Sequence, residues 1–194
     1  MYPFPSSIDP SLVSADEAHT SGRTELGDNP FIAYGVNPKT QVLTGYLVGL
    51  RTARRETDAC KIVFSGRLAS PHVFMAKYLS EVDEFEKNGS TSAAVVQRNN
   101  GHLQMKMKKD QMGGDCEWIF PFINGPRVRE DGEEVEVSFG KLLSGEWIGV
   151  FAIKSKRASF YQTTKESSIR KAFLVQGDLV YVYDEKPGWY YVKY

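Results

Sequence analysis

His102-Leu103-Gln104-Met105-Lys106-Met107-Lys108 and Glu134-Val135-Glu136-Val137-Ser138-Phe139 decide the fold class. In the first stretch Leu103, Met105 and Met107 fall on one side of an extended chain, and Gln104, Lys106 and Lys108 on the other. In the second, Val135, Val137 and Phe139 alternate with Glu134, Glu136 and Ser138. Successive side chains of a strand point to opposite faces, so this alternation marks two half-buried strands.

Outward from these two, the chain reads as short β runs separated by turns. Phe31–Val36 ends at Asn37-Pro38-Lys39-Thr40, and Val42–Leu50, Cys60–Leu68, His72–Lys77 and Ser92–Arg98 follow. Beyond His102–Lys108 come Cys116–Phe122, Glu134–Leu142 and Trp147–Ile153. Asn88-Gly89, Asn100-Gly101, Asn124-Gly125 and Asp131-Gly132 are tight-turn dipeptides, favoured where a hairpin needs positive φ. An aromatic content of 12% suits pleated surfaces. The expected class is all-β: an antiparallel β-barrel or sandwich over residues 30–153, packed on a smaller C-terminal barrel over 154–194. One stretch, Lys77–Lys87, carries Leu79, Val82 and Phe85 at helical spacing and is read as helix. Residues 1–29, rich in Ser, Pro, Asp, Glu and Gly, are expected to be a tail or linker, with regular structure starting at Phe31.

Lys plus Arg and Asp plus Glu both number 24, so net charge gives no reason to expect nucleic acid or an anionic membrane as partner. No apolar run approaches the roughly 18–20 residues that span a bilayer. Met1-Tyr2-Pro3-Phe4-Pro5 lacks the basic and apolar regions of a signal peptide, which leaves a cytoplasmic protein or one whose leader has been removed. Cys60 and Cys116 each open an apolar run and are expected on neighbouring strands, where they form a disulfide. That bridge points to the periplasm or cell envelope. Two buried free thiols are the competing reading.

The C-terminal stretch Ala158-Ser159-Phe160-Tyr161, Lys171-Ala172-Phe173-Leu174-Val175-Gln176-Gly177-Asp178, Val180-Tyr181-Val182 and Gly188-Trp189-Tyr190-Tyr191-Val192 resembles the bacterial SH3-like family. A first strand leads into the polar loop Gln162–Arg170, Gly177-Asp178 turns into Leu179–Tyr183, and Pro187-Gly188 closes a hairpin into Trp189–Tyr194. The resemblance covers about residues 154–194 and implies a non-catalytic module that binds peptides or cell-wall material. In architecture the chain is loosely similar to accessory and immunity proteins of Gram-negative bacteria. An SH3-like barrel needs about five strands, and Trp147–Ile153 is the strand expected to cover the edge left open.

Tyr161, Trp189 and Tyr191 are the expected partner-binding residues, because aromatics with a polar tip line grooves at low entropic cost. Packing against the preceding β domain is the competing role for these rings. Arg51, Arg54 and Arg55, joined by Lys61, form a second candidate, a cationic turn suited to carboxylates or phosphates. His19, His72 and His102 are scattered, and the sequence holds no His-Glu-x-x-His helix, Cys-x-x-Cys pair, P-loop or Gly-x-Ser-x-Gly elbow. No catalytic residue, metal or cofactor is therefore expected. Glu133, Glu134 and Glu136 read as a solvated strand face. The functional expectation is an inhibitor, immunity or accessory protein that recognises another protein, such as a toxin or cell-wall enzyme. A peptidoglycan-binding module and a cysteine-dependent cell-wall hydrolase stand as alternatives.

Overall fold

The computed structural model describes residues 21–25, 29–53, 56–80, 92–99, 102–108, 116, 119–120, 134–139 and 142–193. The protein is all-β. Nine strands form one curled antiparallel sheet: β1 (Ser21–Arg23), β2 (Phe31–Asn37), β3 (Val42–Ala53), β4 (Glu56–Ser70), β5 (Val73–Ser80), β6 (Ser92–Asn99), β7 (His102–Lys108), β8 (Glu134–Phe139) and β9 (Leu143–Gly145). Their spatial order is β8-β7-β6-β5-β4-β3-β2-β1-β9.

Local chemistry explains the meander. Asn37 Oδ1 accepts hydrogen bonds from the Lys39 and Thr40 amides at 2.9 and 3.3 Å, and Gln41 takes a positive φ of 54°. That side-chain turn reverses the chain into β3. Asn99 pairs directly with His102, so β6 and β7 are joined across two residues, the spacing expected for the Asn100-Gly101 dipeptide. Asn88-Gly89, Asn124-Gly125 and Asp131-Gly132 lie outside the described residues.

The curl follows from two observations. β8 and β9 are the outermost strands, yet Phe139 and Leu143 are four Cα–Cα steps apart, a span of at most about 15 Å. Each neighbouring pair is antiparallel, so β8 and β9 run in the same direction, the first pairing with β7 and the second with β1. In addition, Tyr34 on β2 is hydrogen-bonded by the side chain of Arg98 on β6, four strands away. A flat sheet would separate those strands by about 19 Å, so the concave face must fold over on itself.

The concave face holds the main core. It is lined by the alternate residues Ile32, Tyr34 and Val36 on β2, Leu43 and Leu47 on β3, and Cys60, Ile62 and Phe64 on β4. Phe74, Ala76 and Tyr78 on β5, Ala94 and Val96 on β6, and Leu103, Met105 and Met107 on β7 continue it to Val135, Val137 and Phe139 on β8. The alternation expected in β7 and β8 is therefore the burial pattern observed.

The structure corrects three expectations. Cys116, Ile119 and Phe120 have helical backbone, not extended, and all three are buried in the main core. Residues at i, i+3 and i+4 lie on one helical face, which is why these three enter the core together. Lys77 to Ser80 belongs to strand β5, paired with β4 and β6, while 81–87 of the expected helix lie outside the described residues. Within the stretch expected to be a tail, β1 sits between β2 and β9 in the sheet, with Ser21 and Thr24 buried. Residues 1–20 are outside the described set.

The rest of the chain builds two small sheets: β10 (Gly149–Ala152), β13 (Leu179–Lys186) and β14 (Trp189–Lys193) in the order β10-β13-β14, and a hairpin of β11 (Arg157–Tyr161) and β12 (Ile169–Val175). A 3-10 turn, Glu166–Ser168, lies between β11 and β12. The pairing of β10 with β13 means that hydrogen bonding crosses position 153, as expected of a strand near Trp147–Ile153 covering this unit's edge.

Candidate partner-binding surface

The three-stranded sheet is mounted on the convex side of the large one. Val150 and Ala152 of β10, with Leu179, Tyr181 and Tyr183 of β13, join Phe31, Ala33, Tyr46, Val48, Val63 and Trp147 in a second core. Trp147 locks this interface. Its indole Nε1–H donates to the Tyr34 carbonyl at 2.8 Å, and its ring meets Tyr181 edge-on at 4.8 Å. The Val150 amide donates to Thr44 Oγ1 at 3.0 Å. Asn37 Nδ2 donates to Glu185 Oε1 at 3.0 Å, tying the far end of β13 to β2. Gly35 and Gly149 let the two backbones touch: a Cβ on Gly35 would lie 2.6 Å from the Gly149 nitrogen.

On the other face of this small sheet, Val180 and Val182 are buried, as is Leu174 of β12. Phe151 and Tyr190 lie side by side with ring centroids 5.7 Å apart, and Tyr190 is 60% exposed. The structure brings Tyr161 and Trp189 together, edge to face at 5.1 Å. Tyr191, 61% exposed, turns instead to Tyr183 at 6.3 Å, and Lys193 Nζ sits 4.3 Å from the Tyr183 centroid. The expected aromatic set is thus one contacting pair plus a separately stacked tyrosine. Tyr183, not Trp189 or Tyr191, makes the contact with the large sheet's core.

Arg51 lies on β3, opposite Asp58 of β4, and is half-buried. Arg54 and Arg55 are outside the described residues, between Ala53 and Glu56, which pair across the hairpin. Lys61 is on β4, opposite Val48, so it is in the strand and not in that turn.

Cys60 and Cys116 form a disulfide with Cα atoms 4.7 Å apart, joining β4 to the helical residues. In the bridged state neither sulfur is free to act as a nucleophile. His72 adopts φ 67° at the β4–β5 turn and its carbonyl accepts from the Arg98 amide at 2.8 Å. His102 is exposed at the start of β7, and His19 is outside the described residues. Glu134 and Glu136 alternate with buried valines, as expected, and Glu136 pairs with Lys106 at 3.5 Å. Burial pushes the Tyr34 phenol above its ordinary value of 10.0, partly offset by the Arg98 charge and hydrogen bond. Among the described residues no helix is long and apolar enough to cross a membrane.

Sequence reasoning missed several exposed apolar side chains: Phe151, Ile169, Phe173, Val175 and Tyr190. A signal for three of them was present, because Ile169, Lys171, Phe173 and Val175 alternate with Arg170, Ala172 and Leu174. No protein-family model, curated protein or solved structure matches the chain.

Proposed function

We propose that this chain is a non-catalytic binding protein of the bacterial envelope that recognises another protein, as an inhibitor, immunity or accessory protein, through its C-terminal unit. One observation carries the reading. Of the ten large apolar side chains exposed among the described residues, seven (Phe151, Tyr161, Ile169, Phe173, Val175, Tyr190 and Tyr191) fall within residues 151–191. Apolar groups concentrated on one unit, with tyrosines prominent among them, are what a recognition surface offers. The Cys60–Cys116 bridge suits an oxidising compartment, and the SH3-like resemblance of the same unit favours binding over chemistry.

A photo-crosslinking side chain at position 190, with the same group at Lys77 on the large sheet as control, tests this in envelope extract. The expected result is a discrete protein adduct from position 190 that is absent from position 77. Equal adducts at both positions, or sedimentation with purified peptidoglycan in place of a protein adduct, would overturn the reading.

A further inference from the structure

We propose that the outer edge of β12 captures an acidic, extended peptide segment as an added strand. The inference rests on the protein-binding reading above and names the chemistry of the bound segment.

The main-chain geometry defines which groups are on offer. Val175 N–H donates to Asp178 Oδ2 at 2.8 Å, and the Val175 carbonyl accepts from the Asp178 amide at 3.1 Å. Both main-chain groups of Val175 therefore point away from β11. The Ser168 carbonyl, in contrast, accepts from the Gln162 amide at 3.0 Å, on the β11 side. Main-chain groups of an antiparallel strand alternate between its two edges. Phe173 shares the parity of Val175, and Ile169 follows Ser168, whose carbonyl faces β11, so the N–H and C=O groups of both Phe173 and Ile169 face the edge opposite β11. Between them the register shifts, and residues 170–172 form a bulge opposite Phe160. Among the described residues no strand pairs with that edge, since the sheet consists of β11 and β12 alone.

Side chains and charge select the ligand. Ile169, Phe173 and Val175 are 57%, 47% and 45% exposed, across from Tyr161, Ser159 and Arg157 respectively. Leu174, on the opposite face, is the buried anchor of the strand. An exposed apolar strand with an open edge is a template for another strand. The hairpin is also strongly basic. Between positions 154 and 178 stand Lys154, Lys156, Arg157, Lys165, Arg170 and Lys171 against two carboxylates, Glu166 and Asp178, the second already accepting from Val175 N–H. Arg157 stacks over Phe173 at 4.1 Å, placing a cation beside the apolar patch. Like charges along the edge repel a basic or second identical hairpin and favour a segment with acidic side chains. A nucleic acid would match the charge but has no peptide groups to pair with Ile169 and Phe173.

The test uses the full chain and short synthetic peptides. A fluorescein-labelled peptide of alternating Glu and Val is titrated by anisotropy, beside a Lys–Val peptide, a Glu–Val peptide N-methylated at alternate residues, and a single-stranded oligonucleotide. Binding by the Glu–Val peptide alone is expected, with amide exchange slowed at Ile169 and Phe173. Arg170→Glu/Lys171→Glu should weaken it by about tenfold or more. Equal binding by the N-methylated or Lys–Val peptide, a preference for the oligonucleotide, or no protection at those amides would overturn the edge assignment. If the Glu–Val peptide fails while position 190 still crosslinks a protein, the edge proposal falls and the partner-binding reading stands. If both fail, both fall.

Discussion

Gly35→Ala should loosen the C-terminal unit from the large sheet. A Cβ at position 35 would lie 2.6 Å from the Gly149 nitrogen, 2.8 Å from its Cα and 3.0 Å from the Ile148 carbonyl carbon. All three atoms are backbone, so no side-chain rotation relieves the clash. β10 must retreat from β2 by somewhat under 1 Å, on the order of the gap to ordinary van der Waals contact. That retreat acts on the hydrogen bonds spanning the same interface, Trp147 Nε1 to the Tyr34 carbonyl at 2.8 Å and the Val150 amide to Thr44 Oγ1 at 3.0 Å. Stretched to about 3.6 Å or more, neither survives as a hydrogen bond. Losing two such bonds costs about 1–3 kcal/mol. Overpacking adds about 1–3 kcal/mol, which the smaller unfolded-state entropy of Ala offsets by less than about 1 kcal/mol. The net loss is about 1–6 kcal/mol, or about 2–24 °C in melting temperature for a chain of this size.

Calorimetry on Gly35→Ala beside Gly177→Ala checks the argument. Gly177 has φ 89° and open space around it, so its variant pays a local conformational cost without disturbing the interface. In Gly35→Ala the Trp147 indole N–H should also lose its protection from exchange, while in Gly177→Ala it should keep it. A Gly35→Ala protein that melts within about 1 °C of the parent would refute the close docking of β10 on β2.

Reducing the Cys60–Cys116 bridge frees a loop with a sequence separation of 56, which in the chain-entropy argument costs about 4 kcal/mol. Denaturant melts with and without reductant should differ by that amount, and by little in a Cys60→Ala/Cys116→Ala variant. The raised Tyr34 phenol makes a pH prediction of definite sign. Above the unfolded value of 10.0 the unfolded chain loses its proton first, so Tyr34 contributes stability in full below that pH, lost as pH rises through the folded value. Tyr34→Phe should be less stable at neutral pH for want of the Arg98 bond, yet fall less steeply above pH 10.0; an unchanged alkaline slope would count against burial as the cause.

Much of the large sheet was legible because one face is buried and the other solvated. Leu103, Met105 and Met107 had to alternate with Gln104, Lys106 and Lys108 for β7 to sit between core and water, and sequence alone records that. β1 left no such trace. Ser21, Gly22, Arg23 and Thr24 bring no large apolar group, and the segment is held by main-chain pairing and by its hydroxyls. Thr24 Oγ1 accepts from the Ile32 amide at 3.1 Å, and Ser21 Oγ donates to the Gly145 carbonyl. The helical turn at Cys116 was hidden for the opposite reason. Trp118, Ile119 and Phe120 make a continuous apolar run, and periodicity cannot tell a buried strand from a buried helix in so short a stretch. At the candidate surface, Tyr161 and Trp189 were singled out from the SH3-like resemblance and strand alternation, and the structure places them in contact, but the start of β12 was obscured because Gln162–Arg170 reads as one polar loop. Its first residues are already paired, with Ile169 opposite Tyr161.

The position of β10 explains why the exposed residues form a surface at all. Gly149–Ala152 is hydrogen-bonded into the small sheet through β13 and packed by Val150 and Ala152 onto the large one, so it belongs to both units. Its alternation then assigns the faces: Val150 and Ala152 turn inward with Tyr181 and Leu179, while Phe151 is left outside beside Tyr190. The inward face is consumed by docking, and the small sheet's remaining apolar residues must be covered from the other side. Val180 and Val182 on that other face are buried, and so is Leu174 of β12. Ile169, Phe173 and Val175 have no third layer above them among the described residues. A partner meeting the exposed rings of the small sheet therefore meets strands already held in place by docking on the large one, and little of the ordering cost of binding remains to be met there.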